Sequence, residues 1–166
     1  MTILDILKYP DETLKKTSDQ VESFDDELRK FLADLEETMR AGPGGVGIAA
    51  PQVGNFQRIA IVDVSAKSKI QHNGCMILIN PEIKTWDGMK IGREGCMSVP
   101  DYTGNVIRAT KITLQASNAQ GELIDYECEG YEARAVQHEL DHLDGLLFLD
   151  RLVSRRTDLF KRKVYK

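Results

Sequence analysis

Histidine is scarce in this chain, with three among 166 residues, and so are cysteine, also three, and tryptophan, one. Three widely spaced cysteines build no disulfide framework. That excludes the small disulfide-stapled folds and points to a reducing compartment with free thiols. No apolar run approaches the ~20 residues of a membrane-spanning helix, so no membrane partner is expected. The opening "MTILDILKYPDE" is acidic and lacks a basic stretch followed by a long apolar one. Neither a secretory signal nor a transit peptide is expected there, and the expected location is cytoplasmic. A cationic excess is missing too: formal net charge is −4, which gives no reason to expect DNA as a partner. Repeats, linkers and low-complexity segments are absent. What remains is a globular composition, 42% hydrophobic and 29% charged, in a length that forms one domain, 1–166, with a substantial core.

The apolar pattern gives the elements. In "DDELRKFLADLEETMRAGPGG" (25–45), Leu28, Phe31, Leu32, Leu35 and Met39 share one helical face. Asp25 fits the N-cap, and the "GPGG" stops the helix. "RIAIVDV" (58–64) and "MILINPEI" (76–83) read as strands. "KITLQAS" (111–117) and "ELIDYEC" (122–128) alternate around the turn signal "NAQG" and read as a hairpin. A second helix is expected over about 132–144, with Val136, Leu140 and Leu143 on its apolar stripe and Gly145 at its end. Strands in a run between helices predict an α+β fold. The fold is expected to pack antiparallel sheets around this central helix, with the N-terminal helix and a short basic C-terminal helix outside.

Two of the three histidines fall within five residues, in "AVQHELDHLDG" (135–145). One helical turn apart, His138 and His142 project from one face and can reach one metal ion. Glu139 lies on the flank of that face, in reach of a water held there, which is where a general base must sit. A third ligand is required. Phe148 stands where some zinc peptidases carry another histidine, and no glutamate follows Glu139. Asp150 or Asp158 downstream, or a residue upstream, remain open. Upstream, Cys75 and Cys128 read as small buried residues. Cys96, in "GREGCMSVP", has Gly95 beside it, which permits close approach of a ligand. "GGVGIAAPQVG" (44–54) is glycine-rich without the Lys-Ser/Thr of a phosphate loop, and Gln52 at its end offers a neutral N–H donor.

Taken together, "GVGIAAPQ" (45–52), "EGCMS" (94–98) and "QHELDH" (137–142) resemble, in order and without a gap, the three motifs of the peptide deformylases. The resemblance extends through "VGNFQRIAIVDV", "INPEI" and "DHLDGLLF", essentially the whole chain. It implies that Cys96, His138 and His142 bind one divalent metal. That metal is expected to be Fe2+ in the cell, with Zn2+, Ni2+ or Co2+ in purified forms. It implies hydrolysis of the formyl group of an N-formyl-methionyl peptide during protein biosynthesis. Glu139 would move the proton, and the Gln52 amide and the Met97 backbone N–H would hold the oxyanion. The peptide would lie strand-like against Gly45, Val46, Gly47 and Gly95, with Val46 in the methionine pocket, and Arg108 would be structural.

Two rivals make different use of the same residues. A metallopeptidase completed by Asp150 or Asp158 would leave Cys96 idle. A structural zinc module would close its site with Cys75 or Cys128. Finally, residues 151–166 hold seven basic residues and one acid, or +6, which leaves −10 for residues 1–150. Through the resemblance this tail offers ribosomal RNA as a partner. Lying away from the active site, it should be removable over 155–166 without loss of turnover on a short peptide.

Overall fold

The computed structural model describes residues 2–42, 45–67, 72–154 and 156–162. Among the described residues there are two α-helices, α1 (Asp26–Ala41) and α2 (Gly130–Leu143). Eight strands follow in chain order as β1 (Gly47–Ala49), β2 (Ile59–Val62), β3 (Met76–Asp87), β4 (Lys90–Cys96), β5 (Val99–Arg108), β6 (Lys111–Ser117), β7 (Leu123–Glu129) and β8 (Leu159–Lys161). All pairings between them are antiparallel, in two sheets ordered β1-β2-β3-β6-β7 and β4-β5-β8. The fold is α+β.

β2, "IAIV", shows why the larger sheet needs a helix on each face. All four residues are buried, as in a strand covered on both sides. Ile59 and Ile61 join Leu28, Leu32, Leu35 and Met39 of α1 in one core. Ala60 and Val62 face the opposite way and join Val136, Leu140 and Leu143 of α2 in another. Each fully buried aliphatic side chain here contributes roughly 1.5–3 kcal/mol. α2 is therefore an internal helix, and all but three of its fourteen residues are buried. Its polar residues consequently have to be paired or functional.

α1 starts as expected: the Asp25 side chain accepts from the Leu28 N–H at 2.9 Å. Gly42 caps its end; Pro43 and Gly44 of the expected stop lie outside the described residues. α2 begins two residues before the expected start and ends at Leu143, with Gly145 two residues beyond it at φ +76°. A Cβ there would fall 2.2 Å from the Lys15 carbonyl oxygen, so only glycine fits.

Two features depart from the sequence reading. β4 and β5 form a hairpin closed by Met97 and Ser98, with Cys96 opposite Val99. The glycines, Pro100 and charged residues of these strands hid the alternation. The expected basic C-terminal helix is not formed over the described residues. β8 pairs with β5 through Tyr102↔Lys161, Thr103↔Phe160 and Gly104↔Leu159. The open edge of β5 supplies ladder hydrogen bonds, and Leu159 packs on the third core beside Cys96 and Phe148. Tertiary pairing outweighs local propensity here.

Candidate active site

β4 and α2 bring the rare residues together. Glu94 and Cys96 alternate inward along β4, and His138 and His142 project from one face of α2 with ring centroids 5.1 Å apart. The ligand atoms of Cys96, His138 and His142 all lie within 4.8 Å of one another, and all three residues are buried. Cys96 Sγ is 3.4 Å from His142 Nε2. One thiol and two imidazoles converging in a buried site suit a borderline divalent cation such as zinc or ferrous iron. The donor set thus fits a metal, and three protein donors leave a coordination position open.

Orientation comes from a carboxylate. Nδ1 of His138 is 2.8 Å from Glu94 Oε1, which turns Nε2 toward the thiol. Glu94 also accepts from Arg108 Nε and Nη2, each at 2.9 Å, and from Arg134 Nη1 at 2.7 Å. Arg108 Nη1 donates on to Asp141 at 2.6 Å, and Asp141 accepts from Arg151 at 3.0 Å. Burial alone would raise the Glu94 carboxyl. The hydrogen bonds from His138 and Arg108 override it and hold Glu94 well below the usual carboxylate range. Arg108, 5% exposed, is structural in this sense. Phe148 stacks on His138 at 6.3 Å, so the residue that cannot bind metal supports one that can.

Glu139 is different. Its Oε1 is buried with no hydrogen-bond partner among the described residues and lies 3.9 Å from His142 Nε2. Burial, partly offset by attraction to His138, pushes its carboxyl up to about 7. Burial opposes the charged form of His138, but attraction to Glu139 and the hydrogen bonds of Cys96 and Glu94 raise it above the ordinary value. His142 is lowered by burial and by repulsion from His138. Gly47 explains how Glu139 fits: a Cβ at that position would stand 2.6 Å from Glu139 Oε2.

Gln52, 1% exposed, is held in one sense. Its Oε1 accepts from the Ala49 N–H at 2.9 Å, leaving Nε2 to donate to Ser98 Oγ at 3.0 Å and to face Cys96 Sγ at 3.5 Å. A cleft of about 640 Å³ opens over these groups, within the range of small-ligand sites. Gly45, Val46, Gly47, Gln52, Gly95, Cys96, Met97, His138 and Glu139 line it; His142 lies beneath. β1 and β4 are both edge strands of their sheets, and they border this cleft.

The rival ligands are occupied elsewhere. Asp150 accepts from the Leu147 N–H and Asp158 from the Ser154 N–H, each at 2.9 Å. Cys75, expected to be buried, is instead exposed beside Glu36; Cys128 is buried as expected, which pushes its thiol up to about 12. Among the described residues neither joins the metal-ligand group.

Residues 3–158 match the family model described as polypeptide deformylase. The chain belongs to the polypeptide deformylase family. A peptide deformylase of Thermodesulfovibrio yellowstonii is 39% identical over 98% of this chain and 97% of its own. The crystal structure of peptide deformylase from Thermotoga maritima superposes with a TM-score of 0.85, at 38% identity, over 93% of this chain and 100% of its own. A peptide deformylase of Acinetobacter baumannii, solved with Met-Ala-Ser bound, gives 0.84 at 34% identity, over 91% and 99%. This deformylase is a metal-dependent amide hydrolase that removes the formyl group from polypeptide N-termini.

Sequence reasoning missed the orienting role of Glu94, Asp141 and Arg134. The signal was available for Glu94, because an imidazole ligand needs an acceptor for its second N–H and Glu94 stands two residues before Cys96 on a strand. It also misplaced the tail. Arg162 lines the cleft, so the C-terminal segment does not lie away from the site, and its removal is expected to lower turnover.

Proposed function

We propose that Cys96, His138 and His142 hold one divalent metal, Fe2+ in the cell, and that the substrate is an N-formyl-methionyl peptide in the cytoplasm. The chain is read as a single deformylase domain. The observation that carries the reading is one buried cluster: three convergent ligands, an unpartnered Glu139 oxygen and the Gln52 amide on one cleft floor. When bound, the metal supplies Lewis-acid chemistry, polarising a carbonyl and lowering the pKa of water. Glu139 takes the proton of the attacking water and delivers it to the departing amine. A carboxyl held near neutrality suits both halves of that transfer. Gln52 Nε2 and the Met97 backbone N–H receive the developing oxyanion; donors so placed are worth roughly 2.7–4 kcal/mol each. The peptide backbone adds as a strand along the open edge of β1, past Val46 and Gly47, with Gly95 of β4 on the far side. The Met-Ala-Ser bound to the Acinetobacter baumannii relative supports a peptide in this cleft.

The test is anaerobic purification, metal analysis, and formate release from formyl-Met-Ala-Ser. One iron per chain, and its loss in Cys96→Ser, are expected. The iron form should decay in air while the nickel form persists, because a thiolate-bound ferrous centre is oxidisable. Full metal retention by Cys96→Ser would overturn the ligand set.

A further inference from the structure

The chain is net negative, yet the mouth of its cleft is basic. Lys8, Arg93 and Arg162 line the opening, and among the described residues none of the three forms an ion pair. The carboxylates of the same cleft are Glu94, already neutralised by Arg108, Arg134 and His138, and the catalytic Glu139.

All three cations are placed by backbone structure. Arg93 and Gly95 share one face of β4; Phe160 and Arg162 share one face of the C-terminal segment. The Arg93 guanidinium sits 3.7 Å from the centre of the Phe160 ring, a stacking that fixes its plane. The Arg162 N–H donates to the Asp101 carbonyl at 2.9 Å, extending the β8 ladder by one step. Its guanidinium covers Gly95: a Cβ there would fall 2.7 Å from Nη2. Lys8 is set between two anchors, since the Leu7 N–H donates to the Gln52 carbonyl and the Tyr9 N–H to the Ser98 carbonyl, each at 2.7 Å. Gly95 borders the path proposed for the peptide, so the Arg162 guanidinium stands beside the residues that follow the formyl-methionine.

We infer that Arg162, with Arg93 and Lys8, recognises a carboxylate one or two residues beyond the formyl-methionine and makes this enzyme prefer acidic substrates. The inference rests on the peptide path proposed above. The carboxylate has two sources, an Asp or Glu side chain of a growing chain or the α-carboxylate of a short free peptide. A planar guanidinium pairs with either.

The test measures kcat/KM of the iron-loaded enzyme at low ionic strength on formyl-Met-Ala-Ser, formyl-Met-Ala-Glu, formyl-Met-Glu-Ala and formyl-Met-Ala-Lys, each as C-terminal amide and as free acid. Exposed pairs are individually weak, so an acid-over-lysine preference of about five- to tenfold is expected, carried by KM and shrinking as salt is added. In Arg162→Gln that ratio should fall to about twofold or less, and Arg162→Lys should restore part of it. Because the readout is a ratio on one variant, a general loss of activity cancels. A preference for free acid over amide of the same peptide assigns the site to the chain end; an acid-over-lysine preference among the amides assigns it to side chains, and both support carboxylate recognition. Equal kcat/KM for acidic and basic peptides with no gain of free acid over amide, or a preference undiminished in Arg162→Gln, overturns it. Absence of formate from every peptide would instead overturn the deformylase reading on which it rests.

Discussion

Glu139 carries two opposed demands. It has to be buried to reach the reacting groups, and burial pushes its carboxyl up to about 7. Its folded-state value thus exceeds its ordinary 4.5. Its contribution to stability is complete below that ordinary value and is lost as pH rises through about 7. Glu139→Gln removes the titration. Metal-stripped variant and parent should have nearly equal urea midpoints near pH 4, below the ordinary value, whereas at pH 8 the variant should be the more stable by on the order of 3 kcal/mol. In the metal-loaded enzyme the same substitution should keep metal content and lower formate release by about 10²–10⁴-fold. Wild-type turnover would refute the base. Glu94 runs the other way. Its carboxyl is held low by His138 and Arg108 against burial, so it stabilises the fold above its ordinary value, and that support fades as the solution is acidified. Glu94→Gln should weaken metal binding about 10–100-fold in a chelator competition. Leaving Arg108 short of its buried partner should also lower stability by about 3–5 kcal/mol.

At the scale of elements, the open edge of β1 depends on a residue with no side chain. Gly47→Ala would push its Cβ into the Glu139 carboxylate. Turnover should drop about 10–100-fold, because small displacements of a catalytic group are expensive, with the melting temperature little changed. A melting loss as large as the activity loss would mean a packing role only. The elements themselves were unevenly legible. α1, β2, β6, β7 and α2 announced themselves because their apolar periods are clean and their caps, Asp25 and Gly145, stand at the boundaries. β4, β5 and β8 did not, because "KIGREGC" and "VPDYTGNVIR" are strands by pairing and not by composition. The cluster of Cys96, His138 and His142 was legible where local motifs named those residues. Glu94 stood inside one of them without a role, because its partners Arg108, Arg134 and His138 are distant in sequence and meet it only in the fold.

For the whole molecule, the +6 of residues 151–166 divides once folded. Arg151 is bound to Asp141 and Arg162 faces the cleft. Arg156 and Lys161 remain exposed, while Arg155, Lys163 and Lys166 lie outside the described residues. A ribosomal contact, proposed from the tail's charge, therefore needs a test that spares the cleft. Arg156→Glu with Lys161→Glu should weaken ribosome association and flatten its salt dependence while β8 and Arg162 stay in place. Unaltered binding across several salt concentrations would discard the contact. Deleting 155–166 mixes two effects, and turnover on a free peptide is expected to fall with it.

The chain of charges from Arg151 through Asp141, Arg108 and Glu94 to His138 also sets a schedule. A ribosome adds residues in order at about 5–20 per second, so on the order of five to twenty seconds separate the synthesis of Gln52 from that of Arg151. Throughout that interval the growing chain holds some parts of its own active site and lacks others. The Cys96 thiol is made well before the two imidazoles that lie beside it in the fold. A premature thiol without its partners is open to oxidants and to the wrong ion.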